Sequence, residues 1–274
     1  MLIVGERINT SRKIKGEAVI EAAVVNRDAA YITDLATKQF EAGATYIDVN
    51  AGTLTSGEPE ALEWLTTVVM GAVDAPISFD TPNPLALERA LKVYDPAKGQ
   101  PMINSITAES ERYANVLPWV LEYKAKVIAL AMDDSGIQQD PAKRLSVARS
   151  LIQNLTSAGV PVGDIYVDPL TFPIGTGSDV AVSMFDIIGK VKAEYPEVHI
   201  IAGLSNISHG MPARKLLNQA VTVLAMGNGL DAGIIDPNDK YLMALIYATE
   251  ALLGTDDFCM NYITKSREGA FEGI

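Results

Sequence analysis

The chain has 274 residues, 48% of them apolar, with 34 acidic and 22 basic side chains and a formal net charge of −12. That apolar fraction excludes a disordered chain, and the acidic excess excludes nucleic acid as a partner, since phosphate neutralisation needs clustered Lys and Arg. A single cysteine, Cys259, excludes an intrachain disulfide framework and a multi-cysteine metal site.

The N-terminus carries no basic region followed by a long apolar stretch, so no signal peptide is expected. No uncharged run approaches the roughly 18 residues of a membrane span. The expectation is a soluble, cytoplasmic protein with no membrane partner. Eight short apolar runs read as strands, at about 2–6, 45–49, 76–80, 101–104, 126–131, 164–168, 198–203 and 231–235. Amphipathic segments at helical period lie between them, at 59–73, 85–94, 112–123 and 141–158, then at about 179–194, 212–226 and 238–253. Gly43, Gly159 and Gly229 each follow a helical segment and precede a strand, where a left-handed residue just past the helix is expected.

Roughly thirty residues per repeat is one strand-plus-helix unit. With no linker or composition break, residues 1–274 read as one α/β domain, a single (β/α)8 TIM barrel. A doubly wound open sheet would call for Gly-x-Gly-x-x-Gly after the first strand, and Glu6-Arg7-Ile8-Asn9-Thr10 lacks it. Two strand-to-helix connections are long, 9–29 and 170–178. The first carries the basic cluster Arg7, Arg12, Lys13 and Lys15, which suits a solvated loop, or a landing strip for an anionic tail or an acidic partner.

The strand ends carry the chemistry. On this register Asp48, Asn50, Asp80, Asn83, Asn104, Asp133, Asp168, Ser205, Asn206 and Asp236 reach the C-terminal face of the barrel. Any one of them also fits a helix cap or a turn. As a set they narrow the chemistry. A Schiff-base enzyme needs a lysine at a strand end, and Lys126 opens its strand instead. Two histidines, His199 and His209, are few for a zinc or binuclear site, and His199 reads as structural. A magnesium site on Asp80, Asp168 and Asp236 remains open. A neutral heterocycle rich in donors and acceptors fits best. A 2-amino-4-oxo-pyrimidine edge offers adjacent N–H groups to one aspartate, and asparagine serves its carbonyl and ring nitrogens, so an Asp/Asn/Asp set makes a pterin grip.

Leu2-Ile3-Val4-Gly5-Glu6-Arg7-Ile8-Asn9, Asp48-Val49-Asn50, Phe79-Asp80-Thr81-Pro82-Asn83, Ile103-Asn104-Ser105, Val167-Asp168-Pro169-Leu170 and Gly203-Leu204-Ser205-Asn206-Ile207-Ser208 together resemble the methyltetrahydrofolate:corrinoid protein methyltransferases. The resemblance runs in order from the first residue to Asp236, and implies a homodimer acting on tetrahydrofolate or 5-methyltetrahydrofolate, with the corrinoid (cobalamin) carried by a partner protein. It places Asp80, Asn104 and Asp168 on the pterin ring, with Asp48, Ser205 and Arg214 nearby. It brings Asn206 to N5, the methyl-bearing atom. Asp48 or Asp168, through water, would relay the proton that N5 needs to become a leaving group. His209, Asn50 and Asn83 fall at the rim or toward the corrinoid. His209 stands where relatives of the acetogen type carry glutamine, which bears on the choice of corrinoid partner. No resident metal is implied. Two further readings stay open: a dihydropteroate synthase-like pterin enzyme, whose Asn-Val-Thr-Pro-Asp-Ser-Phe-type first loop is absent here, and a folate-binding protein without catalysis.

Overall fold

The computed structural model describes Met1–Ile274. Its strands are β1 (Leu2–Asn9), β2 (Tyr46–Asn50), β3 (Ile77–Asp80), β4 (Met102–Ala108), β5 (Lys126–Asp133), the two-residue β6 (Gly136–Ile137), β7 (Ile165–Asp168), β8 (His199–Ile200) and β9 (Ala232–Ile235). All but β6 run parallel, in the order β8-β7-β5-β4-β3-β2-β1-β9, while β6 forms a small antiparallel hairpin with β5. Two backbone hydrogen bonds join the ends of that row. The Asp231 N–H donates to the Ile200 carbonyl at 3.3 Å and the Ile234 N–H to the Ala202 carbonyl at 3.0 Å.

Ten helices surround the strands: α1 (Val19–Val25), α2 (Ala29–Glu41), α3 (Glu58–Ala72), α4 (Pro84–Val93), α5 (Ser110–Glu122), α6 (Pro141–Ser157), α7 (Val180–Glu194), α8 (Arg214–Gly227), α9 (Lys240–Leu253) and α10 (Met260–Arg267). The (β/α)8 architecture read from the sequence is therefore present, with α1 and α10 added to the eight crossover helices. The 9–29 connection is not a plain loop. Its α1 buries Ile20, Ala23 and Val24 at helical spacing, in an apolar run too short to separate helix from strand by period. The seventh strand is much shorter than 198–203, because the chain turns into a 3₁₀ segment at Leu204–Ser208. Gly43, Gly159 and Gly229 hold φ of +102°, +97° and +109°, and a side chain on Gly229 would meet Lys192 at 2.8 Å. No helix is long and apolar enough to cross a membrane.

Alternation along each strand decides what faces the barrel axis. Val4, Tyr46, Met102, Ile128, Tyr166, Ile201 and Ala232 form one buried apolar cluster inside the barrel. Two residues further along, β2, β4 and β7 present Asp48, Asn104 and Asp168, and β3 presents Asp80 after Ser78. An apolar plug thus floors a polar mouth. The side chains at the opposite, N-terminal end are structural: His199 Nδ1 lies 3.0 Å from Asp231 Oδ2 and its ring stacks on Tyr166, whose hydroxyl accepts from Lys126 Nζ at 3.2 Å.

Strand β1 departs from simple alternation. Its pairing with β2 shifts between Gly5 and Ile8, which leaves one extra residue in β1. The fully buried Gln39 of α2 fills the irregularity, accepting the Arg7 N–H at 2.8 Å through Oε1 and donating to the Leu35 carbonyl at 3.2 Å. A Cβ on Gly5 would fall 2.6 Å from Gln39 Oε1. Gly5→Ala is therefore expected to lower stability by about 2–3 kcal/mol, from overpacking plus a strained buried hydrogen bond. Chemical denaturation reads this directly, and a loss below the scatter of surface substitutions would remove Gln39 from its role as the plug of the bulge.

Candidate active site

A cavity of about 990 Å³ opens at the C-terminal end of the strands. From the sequence-predicted set it gathers Asp48, Asp80, Asn104, Asp168, Ser205, Asn206, His209, Arg214 and Asp236. Asn50, Asn83 and Asp133 are not on its wall, for separate reasons. Asn50 stands behind Asp80, donating Nδ2–H to Asp80 Oδ2 at 2.9 Å while its Oδ1 accepts the Gly52 N–H. Asn83 caps α4, accepting the N–H groups of Leu85 and Ala86. Asp133 is absorbed in the β5–β6 turn by Ser135 and Gln138.

The floor of the cavity is acidic and short of cations. Asp48 and Asp168 are only 2% and 9% exposed. Burial pushes the Asp168 carboxyl from its ordinary 3.8 up to about 7, against the opposing pull of the Leu170 N–H, which donates at 2.8 Å. Burial likewise raises Asp80 to about 6, with the Asn50 hydrogen bond and the Arg112 charge holding it back. Asp48 stands well above the carboxylate range, through burial first and the Asp80 charge second, although the Ser78 hydroxyl donates to it at 2.7 Å. Such a floor takes a molecule that brings its own N–H donors.

Two arginines shape the walls without being read from the sequence in that role. Arg112 donates to the carbonyls of Thr81, Pro82 and Ser105 at 2.6–3.0 Å, and so ties the β3 end to β4 beside Asn104. Arg214 donates from Nη2 to the Ser205 carbonyl at 2.9 Å and from Nε to Ser208 Oγ at 3.0 Å, which fixes the 3₁₀ turn carrying Asn206. Glu6 was missed altogether. The β1 bulge lets the consecutive residues Glu6 and Arg7 both line the cavity. Glu6 accepts from Ser205 Oγ at 2.9 Å and Arg12 Nη1 at 2.7 Å, and Arg7 pairs with Asp236 at 2.8 Å. Asp236 is thereby committed to arginine rather than to a cation site with Asp80 and Asp168, and no group of three His, Cys, Asp or Glu is arranged to hold a metal ion.

Asn206 stands apart from this network. Its side chain is exposed at the mouth and folds over Gly203, where an added Cβ would lie 3.1 Å from Nδ2. A glycine at 203 leaves that amide free to lean over the cavity.

Comparison with known proteins agrees with this geometry. The chain is 34% identical over 271 residues to the methylcorrinoid:tetrahydrofolate methyltransferase of Eubacterium limosum, covering 98% of this chain and 97% of that protein. It is 28% identical over 247 residues to the methionine synthase of Mycobacterium tuberculosis, where it spans 86% of this chain but only 20% of the larger protein. Among solved structures, the dihydropteroate synthase of Xanthomonas albilineans in complex with 7,8-dihydropteroate superposes with a TM-score of 0.65 at 18% identity, covering 93% of this chain and 94% of that one. A Yersinia pestis dihydropteroate synthase superposes at 0.67 with 15% identity, covering 92% and 94%; both likenesses concern the fold alone. The sequence pattern of the family described as pterin binding enzyme matches residues 7–236, and by that match and the Eubacterium relative this chain belongs to the pterin-binding enzymes.

Proposed function

We propose that the protein is a methyltransferase that moves a methyl group between N5 of tetrahydrofolate and the cobalt of a corrinoid held by a partner protein. The observation that carries this is the cation-poor floor of Asp48, Asp80, Asn104 and Asp168 beneath an exposed Asn206. The Eubacterium relative, matched along nearly its whole length, supports the reaction class. The dihydropteroate synthase-like alternative has the same fold behind it, at 15% and 18% identity in the two structures above, against 34% for the Eubacterium relative.

In this reading Asp80, Asn104 and Asp168 hold the pterin edge, the carboxylates accepting its N–H groups and the carboxamide serving its carbonyl and ring nitrogen. Asn50 and Arg112 orient Asp80 and the β3–β4 wall and do not touch the ligand. The corrinoid supplies a cobalt centre able to give or take a methyl group. The chain's own task is to make N5 a competent leaving group, which requires positive charge at that nitrogen. Burial holds the Asp48 carboxyl above its ordinary range, and Asp48, which is not used on the ring edge, is the group that would pass a proton to N5 through water. Asn206 strengthens its hydrogen bond as N5 changes charge, a contribution realised at the transition state. Ser205, held by Glu6, and Arg214 fix the turn that carries it. His209 at the rim lies on the side from which a partner would approach. The homodimer implied by the sequence resemblance stays part of this reading, and light scattering after size exclusion reads it directly.

The test is anaerobic. Purified protein mixed with 5-methyltetrahydrofolate and cobalt(I) cobalamin should consume the cobalt(I) absorption band, and tetrahydrofolate with methylcobalamin should restore it. Folate binding by calorimetry with no transfer to cobalamin or to corrinoid proteins would leave a binding protein in place of the enzyme.

A further inference from the structure

Of the non-glycine residues with left-handed backbone, Leu170 is the one whose N–H reaches the cavity floor. It stands early in the long connection from β7 to α7, holds φ at +67°, and donates to Asp168 Oδ1 at 2.8 Å. A leucine in that region is strained, at a cost of about tenfold or more in population. Without an offsetting contact the residue would relax, turn its N–H away and leave the Asp168 carboxylate unfixed.

The offset lies two residues further along. The Phe172 ring covers the guanidinium of Arg144, whose Cζ is 4.7 Å from the ring centroid. Arg144 stands near the start of α6 and is only 2% exposed. No carboxylate pairs with it, and its Nε finds no hydrogen-bond partner. Burial works against its charge, while Asp140 and Asp179, just before α6 and α7, favour it from farther off. A buried cation left so bare is a cost to the fold. The face of Phe172 is the compensation the structure gives it, and such a contact is strongest when the cation is dry. The other ties of this connection are Thr171 Oγ1, which donates to Met184 Sδ at 3.4 Å, and Ile174, which packs at the edge of the core.

We infer that the Arg144–Phe172 stack is a strap that holds Leu170 in its left-handed conformation, and that both residues thereby position Asp168 for the pterin without touching it. This rests on the methyl-transfer reading above, in which Asp168 accepts the ring N–H groups. Neither Arg144 nor Phe172 lines the cavity, so their effect on the ligand passes through the Leu170 backbone.

Calorimetry with tetrahydrofolate tests this on the native protein and on Phe172→Leu, alone and combined with Leu170→Gly. Phe172→Leu alone is expected to weaken binding about tenfold, because the binding-competent conformation falls to about a tenth of the population. Glycine adopts positive φ as readily as negative, so in the Leu170→Gly background the same change should cost no more than about threefold. Arg144→Leu removes a bare buried charge and should fold. It is expected to weaken binding in the same direction and to add nothing in the Phe172→Leu background. Transfer at saturating folate should change less than about twofold in each, since bound ligand itself selects the held conformation. Native affinity in Phe172→Leu or in Arg144→Leu overturns the inference and makes the stack a matter of stability alone. An equal loss in both backgrounds overturns it too, because the effect would then bypass the strained backbone. If the native protein does not bind tetrahydrofolate at all, the methyl-transfer reading falls and this inference with it. The other outcomes leave that reading standing.

Discussion

Replacing Asn206 with alanine is expected to lower kcat for methyl transfer by about 10²–10³-fold, the usual effect of removing one preorganised hydrogen bond to developing charge. The affinity for 5-methyltetrahydrofolate should be largely unchanged. The reason is positional. Asn206 is exposed on the turn after β8, above a floor whose Asp80, Asn104 and Asp168 hold the ring in the proposed reading. An interaction made mainly at the transition state affects kcat and kcat/KM together and leaves binding alone. Parallel determination of Kd by calorimetry and of kcat by the cobalt(I) assay separates the two. Equal losses in both would make Asn206 a binding residue. His209, on the same loop, supplies the control: His209→Gln should leave Kd alone, because its hydrogen bond to the Asn206 carbonyl comes from its backbone N–H and does not depend on the side chain.

Asp168→Asn has two opposite consequences. Ligand affinity should fall by at least about a hundredfold, because an amide cannot accept two N–H groups as a carboxylate does and charged hydrogen bonds are worth about 1.5–3 kcal/mol each. Stability of the unliganded protein should rise at alkaline pH. With the Asp168 pKa raised from 3.8 to about 7, the folded state holds a proton that the unfolded chain has lost between those two values. Native protein then binds more protons than unfolded, so stability falls as pH rises from about 4 to about 7 and levels off above. At pH 8 the substitution removes that penalty, on the order of 4 kcal/mol at about 1.4 kcal/mol per pKa unit. Near pH 4 both side chains are largely neutral and the gain shrinks toward zero. Thermal unfolding of native and variant protein at pH 4.5 and 8 measures the difference. A gain independent of pH would mean that the buried carboxylate is not the source of the strain.

The readable part of this site follows from a period of two. Tyr46 and Asp48, Met102 and Asn104, Tyr166 and Asp168 are each an apolar inward residue followed by a polar one, and any strand register that buries the first delivers the second to the mouth. Asn83 and Asp133 look the same in sequence. A helix cap and a hairpin turn claim them, and the competition between cap and site is decided by where the chain bends after the strand. Glu6 and Arg7 were illegible as a pair because alternation allows only one of them to face inward, and the bulge that admits both depends on Gln39, 32 residues on from Arg7. The Arg7–Asp236 pair joins residues 229 apart, a contact that exists only once the barrel has closed.

That closure has a mechanical consequence. The row of strands is joined into a ring by two backbone hydrogen bonds beside β8, a strand of only two residues, and the turn bearing Asn206 begins four residues further on. Local opening draws on the least-bonded part of a fold. The seam at β8 is therefore where local opening is expected to begin, and the compliance falls next to the turn that carries Asn206.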